Sequence, residues 1–97
     1  MSNNKIQDTF AEAYLAGAKA EFYILLLKVE QMEKESSEYN EFACERYAIK
    51  VLLDLAINSL DDQQKKDQLQ AIVTHVLLDT TSHELNEVYQ ELTKFTV

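Results

Sequence analysis

Residues 6–32, IQDTFAEAYLAGAKAEFYILLLKVEQM, decide the fold because they carry two separate apolar stripes at helical spacing. Both stripes advance by alternating steps of four and three residues, and at about 100° per residue their centres lie roughly 140° apart around one helix. The first, which we call the small stripe, comprises Ile6, Phe10, Ala13, Gly17, Ala20, Ile24 and Leu27. The second, which we call the bulky stripe, comprises Ala11, Leu15, Ala18, Phe22, Leu25, Val29 and Met32. One stripe can face the chain's own core, so the other is expected to face another surface.

The composition predicts a helical domain. The 97 residues contain no proline and a single glycine, so the turn breakers that strand-rich folds need are scarce. A chain of this length forms one domain with one core. We therefore expect a single domain over residues 1–97, built as an antiparallel bundle of three or four helices with a long N-terminal helix, and forming a dimer.

Periodicity and capping residues predict the helix boundaries. Helix 1 is expected over about residues 5–34 and helix 2 over about residues 38–58. Ser59 and Asp62 resemble a capping box at the start of helix 3. Thr81 and Glu84 form a second box, which predicts a break near Thr80 and a helix 4 over about residues 82–95. Without that break, helices 3 and 4 would merge into one rod.

The charge balance restricts the class of partner. Nine Lys and Arg residues stand against 17 Asp and Glu residues, for a net charge of −8, which opposes direct binding to nucleic acid and to anionic membranes. The single cysteine, Cys44, fits a reducing compartment, and we expect it to be an inert core residue. The N-terminal residues lack the apolar segment of a signal peptide, so we expect a soluble, cytoplasmic protein.

The bulky stripe is the first candidate for a partner-binding surface. Left exposed, it would form a larger apolar patch than soluble monomers usually carry, so either helices 3 and 4 or a partner must cover it. The acidic turn between helices 1 and 2 would frame such a surface and steer a basic partner toward it. The partner-binding residues expected on this basis are Tyr14, Phe22, Leu25, Val29, Met32, Glu38 and Glu41.

The small stripe permits close approach of another helix at its centre. Gly17 costs about 1 kcal/mol of helix propensity relative to alanine, so its place in mid-helix indicates a tight crossing. Packing of Ala13, Gly17 and Ala20 against helix 2 is the expected arrangement. A crossing with helix 1 of a second subunit is the alternative.

Arg46, the only arginine, occupies a position of helix 2 where the heptad series of apolar residues predicts a hydrophobic side chain. With Lys50 and Tyr47 it forms a candidate site for an anionic ligand such as a nucleotide, which would make the chain a ligand-sequestering protein. The structural alternative is an ion pair between Arg46 and Glu12 or Glu45 that fixes the helix register.

Two patterns resemble metal-binding sites. His75, Asp79, His83 and Glu87 recur every four residues, as ligands of a divalent metal do on one helix face. Several Glu-x-x-Glu pairs resemble those with which all-α nucleotide hydrolases hold Mg²⁺, although the accompanying Glu-x-x-Asp pair is missing. We expect no enzyme, no cofactor and no bound metal, with a metal-dependent nucleotide hydrolase as the alternative. The function expected is that of an acidic protein-binding inhibitor, regulator, chaperone or adaptor.

Overall fold

The computed structural model of the chain describes residues 2–35 and 42–97, with side chains described from residue 6 onward. These residues form four α-helices, α1 (Ser2–Glu35), α2 (Ala43–Asn58), α3 (Gln63–Leu78) and α4 (Ser82–Lys94). The predicted all-α bundle with a long N-terminal helix is confirmed. The predicted start of helix 2 near Glu38 falls outside the described residues, but the prediction that Phe42 belongs to helix 2 is wrong. Phe42 has a left-handed backbone with a φ of 50°, and α2 begins only after it, at Ala43.

The four helices pack as an antiparallel bundle. α1 contacts α2 and α4, and α3 contacts the same two helices, so that α1 and α3 lie diagonally opposite each other. The Lys28 ammonium on α1 lies 3.6 Å from the Glu45 carboxylate near the start of α2, which shows that these two helices run in opposite directions. The ring of Phe22 packs edge-on against the ring of Tyr89, with centroids 5.4 Å apart, and joins α1 to α4.

The core lies along the bulky stripe of α1. Phe22, Leu25 and Val29 are fully buried, and they belong to one hydrophobic cluster with apolar residues of the other three helices, such as Leu53 and Leu85. Bulky side chains fill the space between four helix axes, whereas alanine and glycine would leave voids there. Burial of each large apolar side chain contributes roughly 1.5–3 kcal/mol to folding. The second of the two stripes is therefore the one that the chain covers with its own helices.

The start of α3 differs from the prediction. Asp62, and not Ser59, is its N-terminal cap, and the Asp62 carboxylate accepts hydrogen bonds from the backbone N–H groups of Gln64 and Lys65. The Ser59 hydroxyl donates instead to the carbonyl of Leu55 at the end of α2. A carboxylate satisfies two donors at a helix N-terminus and also interacts favourably with the helix dipole, which explains the choice of Asp62.

The break between α3 and α4 occurs where it was predicted. α3 ends at Leu78, α4 begins at Ser82, and the capping box of Thr81 and Glu84 is complete. The Glu84 backbone N–H donates to the Thr81 hydroxyl at 3.2 Å, and the Thr81 hydroxyl donates to the Glu84 carboxylate at 2.8 Å. Helices 3 and 4 are therefore separate elements.

α1 is about twice as long as any other described helix. Its 34 residues extend about 51 Å, whereas α2 and α3 have 16 residues each and α4 has 13. The first core residue of α1 is Ala11, and residues 6–10 are all exposed. The N-terminal turns of α1 thus extend past the core as an overhang that carries Ile6 and Phe10.

Candidate protein-binding face

The bulky stripe, predicted as a partner surface, belongs to the chain's own core. Phe22, Leu25 and Val29 have no exposed surface, and Tyr14 and Met32 are half-buried against the same core. These five residues are therefore reassigned from a partner interface to internal packing. The physical reason is volume, because the larger of two apolar stripes buries more surface when it faces the interior. The remaining two residues of the predicted set, Glu38 and Glu41, lie outside the described residues.

The small stripe faces solvent instead. Ile6 and Phe10 are each 53% exposed, Ile24 is 42% exposed and Leu27 is 49% exposed. Ala13 and Ala20 are also exposed. The expectation that this stripe packs against α2 holds only at its centre. There Gly17 is half-buried, and a β-carbon at this position would lie 3.4 Å from Cδ1 of Leu52.

α2 continues the exposed apolar surface. Val51 is 41% exposed and Leu55 is 39% exposed, one helical turn apart on the side of α2 that adjoins Leu52. We call this combined surface the α1–α2 apolar face, and define it by the small stripe together with Val51 and Leu55. All nine of its residues are uncharged.

The sequence also carries a signal for the contribution of α2, which the stripes of α1 alone do not reveal. Cys44, Ala48, Val51 and Leu55 recur at steps of four, three and four, which is a second apolar series on α2 beside the buried one. This series includes Cys44, which is exposed and not the core residue that was predicted. Both α1 and α2 therefore carry one apolar series inward and another outward.

The size of the side chains varies regularly along the small stripe. Ile6 and Phe10 at the start are large, the three central residues are alanine or glycine, and Ile24 and Leu27 at the end are large again. Residues three and four apart lie one above another on a helix. This order of side-chain sizes therefore produces a shallow depression near Gly17, with larger side chains on both sides of it along the helix.

Arg46 is buried and bound to backbone atoms. The residue is only 5% exposed, and its Nη1 donates hydrogen bonds to the carbonyl oxygens of Val76 and of Asp79, the latter at 2.7 Å. A cation at this point satisfies carbonyl groups that the end of α3 leaves without helical partners. Of the two predicted carboxylate partners, Glu45 lies against Lys28, and Glu12 lies beside the C-terminal residues at the opposite end of the bundle.

The predicted anion-binding set is only partly assembled. The Lys50 ammonium lies 5.6 Å from the centre of the Tyr47 ring, and it donates a hydrogen bond to the Asp54 carboxylate at 2.6 Å. That hydrogen bond and the charge of Asp54 raise the pKa of Lys50. The Arg46 guanidinium is directed into the bundle toward α3, so it does not complete a site with the other two side chains.

The residues considered for metal binding form separate pairs. His75 lies 3.4 Å from Asp79 on one side of the break, and His83 lies 3.2 Å from Glu87 on the other. Within the described ranges, three or more histidine, cysteine or acidic residues do not come together as a metal site. Among the Glu-x-x-Glu residues, Glu84 is engaged in the capping box, and Glu33 accepts a hydrogen bond from the backbone N–H of Ser82 at 3.2 Å.

Comparison of the chain with protein-family models, with curated proteins and with solved structures found no match. Within the part of the chain that the structure describes, no helix combines the length and the hydrophobicity needed to cross a bilayer.

Proposed function

We propose that this chain is a non-enzymatic protein-binding protein, acting as an inhibitor, regulator, chaperone or adaptor, and that its working surface is the α1–α2 apolar face. The observation that carries the proposal is the exposure of six large apolar side chains on two adjacent helices, namely Ile6, Phe10, Ile24, Leu27, Val51 and Leu55. Apolar patches of this extent mark interaction sites in soluble proteins.

The surroundings of the face favour a protein over other macromolecules. A net charge of −8 disfavours phosphate backbones and anionic lipid surfaces. A broad surface formed by two helices is suited to bind helical elements of another polypeptide. A cytoplasmic location, which the single cysteine favours, belongs to the same proposal, as does self-association of the chain.

The two alternative functions have less support from the described side chains. A nucleotide-sequestering site would need the Arg46 guanidinium in an open pocket, and that group is buried against the end of α3. A Mg²⁺-dependent hydrolase would need several carboxylates directed at one point. It predicts that Mg²⁺ raises the melting temperature, and that Glu38→Gln or Glu41→Gln abolishes this effect, whereas a binding protein predicts neither result.

Site-specific photocrosslinking in the cells that make the protein tests the proposal. A photoreactive phenylalanine analogue would replace Leu27 on the face or, as a matched control, the exposed Gln70 on α3. We expect protein adducts from position 27, their loss when Ile24→Glu is added, and no such adducts from position 70. The proposal would be contradicted if position 27 gave no adduct and the protein extracted from those cells also migrated as a monomer.

A further inference from the structure

We propose that the occupant of the α1–α2 apolar face is a second copy of this chain, and that the two copies pack with antiparallel α1 helices about a twofold axis that passes beside Gly17. This inference rests on the proposed function, because it names the partner of the same face. Four features of the described residues support it.

The first feature is the overhang of α1. Ile6 and Phe10 project beyond the core of their own bundle, and each is 53% exposed. A helix end of about three turns gains most of its stability from tertiary packing, so an apolar surface on it needs cover from outside the bundle. In an antiparallel pair centred near Gly17, the overhang of each copy lies along the C-terminal half of the other copy's α1.

The second feature is that side-chain size along the small stripe is symmetric about Gly17, with large residues at both ends and small residues between them. A twofold axis at Gly17 brings Phe10 of one copy level with Ile24 of the other, because these two positions are each seven residues from Gly17. On the same axis Ile6 lies level with Leu27 to within one residue, and Ala13 with Ala20. Large residues meet large residues, and the helices approach each other most closely where both are small. Isologous interfaces require such self-complementarity, whereas binding of an unrelated partner does not.

The third feature is that α2 follows the same axis. Leu52 lies level with Gly17, because a β-carbon at Gly17 would contact its side chain at 3.4 Å. The midpoint between Val51 and Leu55 is Leu53, one residue after Leu52. A twofold axis that places α1 on its copy therefore also places the exposed Val51 of one α2 close to the exposed Leu55 of the other.

The fourth feature is the extent of the face. From Ile6 to Leu27 on α1 it is about 32 Å long at 1.5 Å per residue and one helix, or about 10 Å, wide, and α2 adds the single turn from Val51 to Leu55. Its projected area is therefore on the order of 400 Å², and the accessible surface of a corrugated face is larger than its projection. Stable interfaces begin at about 600 Å² per partner, so the face approaches the lower end of the size of a dimer contact.

The solution mass of the purified full chain tests the occupant. We expect about twice the monomer mass of 11.2 kDa by light scattering. Ile24→Glu places a charge in the contact and is expected to raise the dimer Kd at least about thirtyfold, as does the loss of a central interface residue. Gln70→Glu adds the same charge on exposed α3 and is expected to leave the dimer intact. Circular dichroism verifies that both variants are folded.

Disulfide trapping tests the antiparallel geometry. In a Cys44→Ser background, Ala13→Cys and Ala20→Cys chains are mixed and oxidised. The proposed axis brings position 13 of one copy close to position 20 of the other, whereas identical positions are separated by about 10 Å along the helix axis. Disulfides need Cα atoms within about 7 Å, so we expect mixed disulfide dimers and no efficient disulfide formation in either variant alone.

Three results would overturn the inference. If the purified chain remains monomeric at about 200 µM, its dimer Kd is on the order of millimolar or weaker, and a second copy does not occupy the face. A dimer that Ile24→Glu does not weaken would show that the two copies associate through another surface. Disulfides between identical positions would show that the two α1 helices pack in parallel and not antiparallel. If the chain is monomeric and photocrosslinking at position 27 captures another protein, the proposed function stands and only the choice of occupant fails.

Discussion

The Arg46 guanidinium on α2 donates a hydrogen bond to the carbonyl oxygen of Asp79, 2.7 Å away, at the point where α3 ends. The same nitrogen also donates to the carbonyl of Val76 in the last turn of α3. The carbonyl groups at the end of α3 are therefore bound by a buried cation that belongs to α2. This arrangement couples the position of α2 to the turn between α3 and α4.

Arg46→Met is expected to lower the free energy of unfolding by about 2–4 kcal/mol, because buried carbonyl groups lose a charged donor. The measurement is urea unfolding followed by circular dichroism. Lys50→Met, one turn further along α2, removes a cation that is paired near the surface, and a smaller loss is expected for it. A variant at position 46 as stable as the original chain would show that these hydrogen bonds make no net contribution.

Adjacent residues of α1 are expected to respond in opposite ways to the same substitution. Leu25 is fully buried and Ile24 is 42% exposed. Leu25→Glu places a carboxylate in the core and is expected to cost more than about 4 kcal/mol, which unfolds a domain of this size. Ile24→Glu is expected to leave the helical circular dichroism spectrum unchanged. If Leu25→Glu folds and Ile24→Glu does not, the two stripes have been assigned to the wrong sides.

Gly17→Ala is expected to stabilise the monomer by up to about 1 kcal/mol, because alanine is the better helix former. Its β-carbon would lie 3.4 and 3.5 Å from the two δ-carbons of Leu52, which is ordinary contact. Unfolding is measured in the Ile24→Glu background, so that any change in self-association does not contribute. A loss of stability would show that Leu52 cannot accommodate the added methyl group.

The capping box of α4 predicts a dependence of stability on pH. The hydrogen bond from the Thr81 hydroxyl, together with backbone hydrogen bonds, lowers the pKa of the Glu84 carboxyl. A group with a lowered pKa in the folded state stabilises the fold above its unfolded pKa, and this stabilisation is lost as the pH falls through the folded value.

The stability difference between the original chain and Glu84→Gln should therefore be larger at pH 7 than at pH 3. Urea unfolding of both chains at the two pH values measures this difference. Thr81→Ala, which removes the cap itself, is expected to cost about 1 kcal/mol at pH 7. A stability difference for Glu84→Gln that is equal at both pH values would contradict the assigned cause of the pKa shift.

Composition, apolar periodicity and capping residues together were sufficient to predict the all-α fold, the long first helix and the break near Thr80. It was not sufficient to orient α1, because Leu25 and Ile24 belong to stripes of nearly equal regularity. Side-chain volume distinguishes the stripes, since only the bulky one can fill the space among four helices. Arg46 shows a different limit, as its partner Asp79 lies 33 residues away and is bound through a backbone carbonyl, a group that every residue possesses.

The packing of Phe22 against Tyr89 joins residues that are 67 positions apart in the chain. During synthesis, α1 and α2 leave the ribosome long before the helix that completes the cover of Phe22 and Leu25. Until α4 has been made, the nascent hairpin presents apolar surface on both sides of α1, inward and outward, and chains in this state are prone to aggregate. Chains that stop before Ser82 are therefore expected to require chaperones or to be degraded.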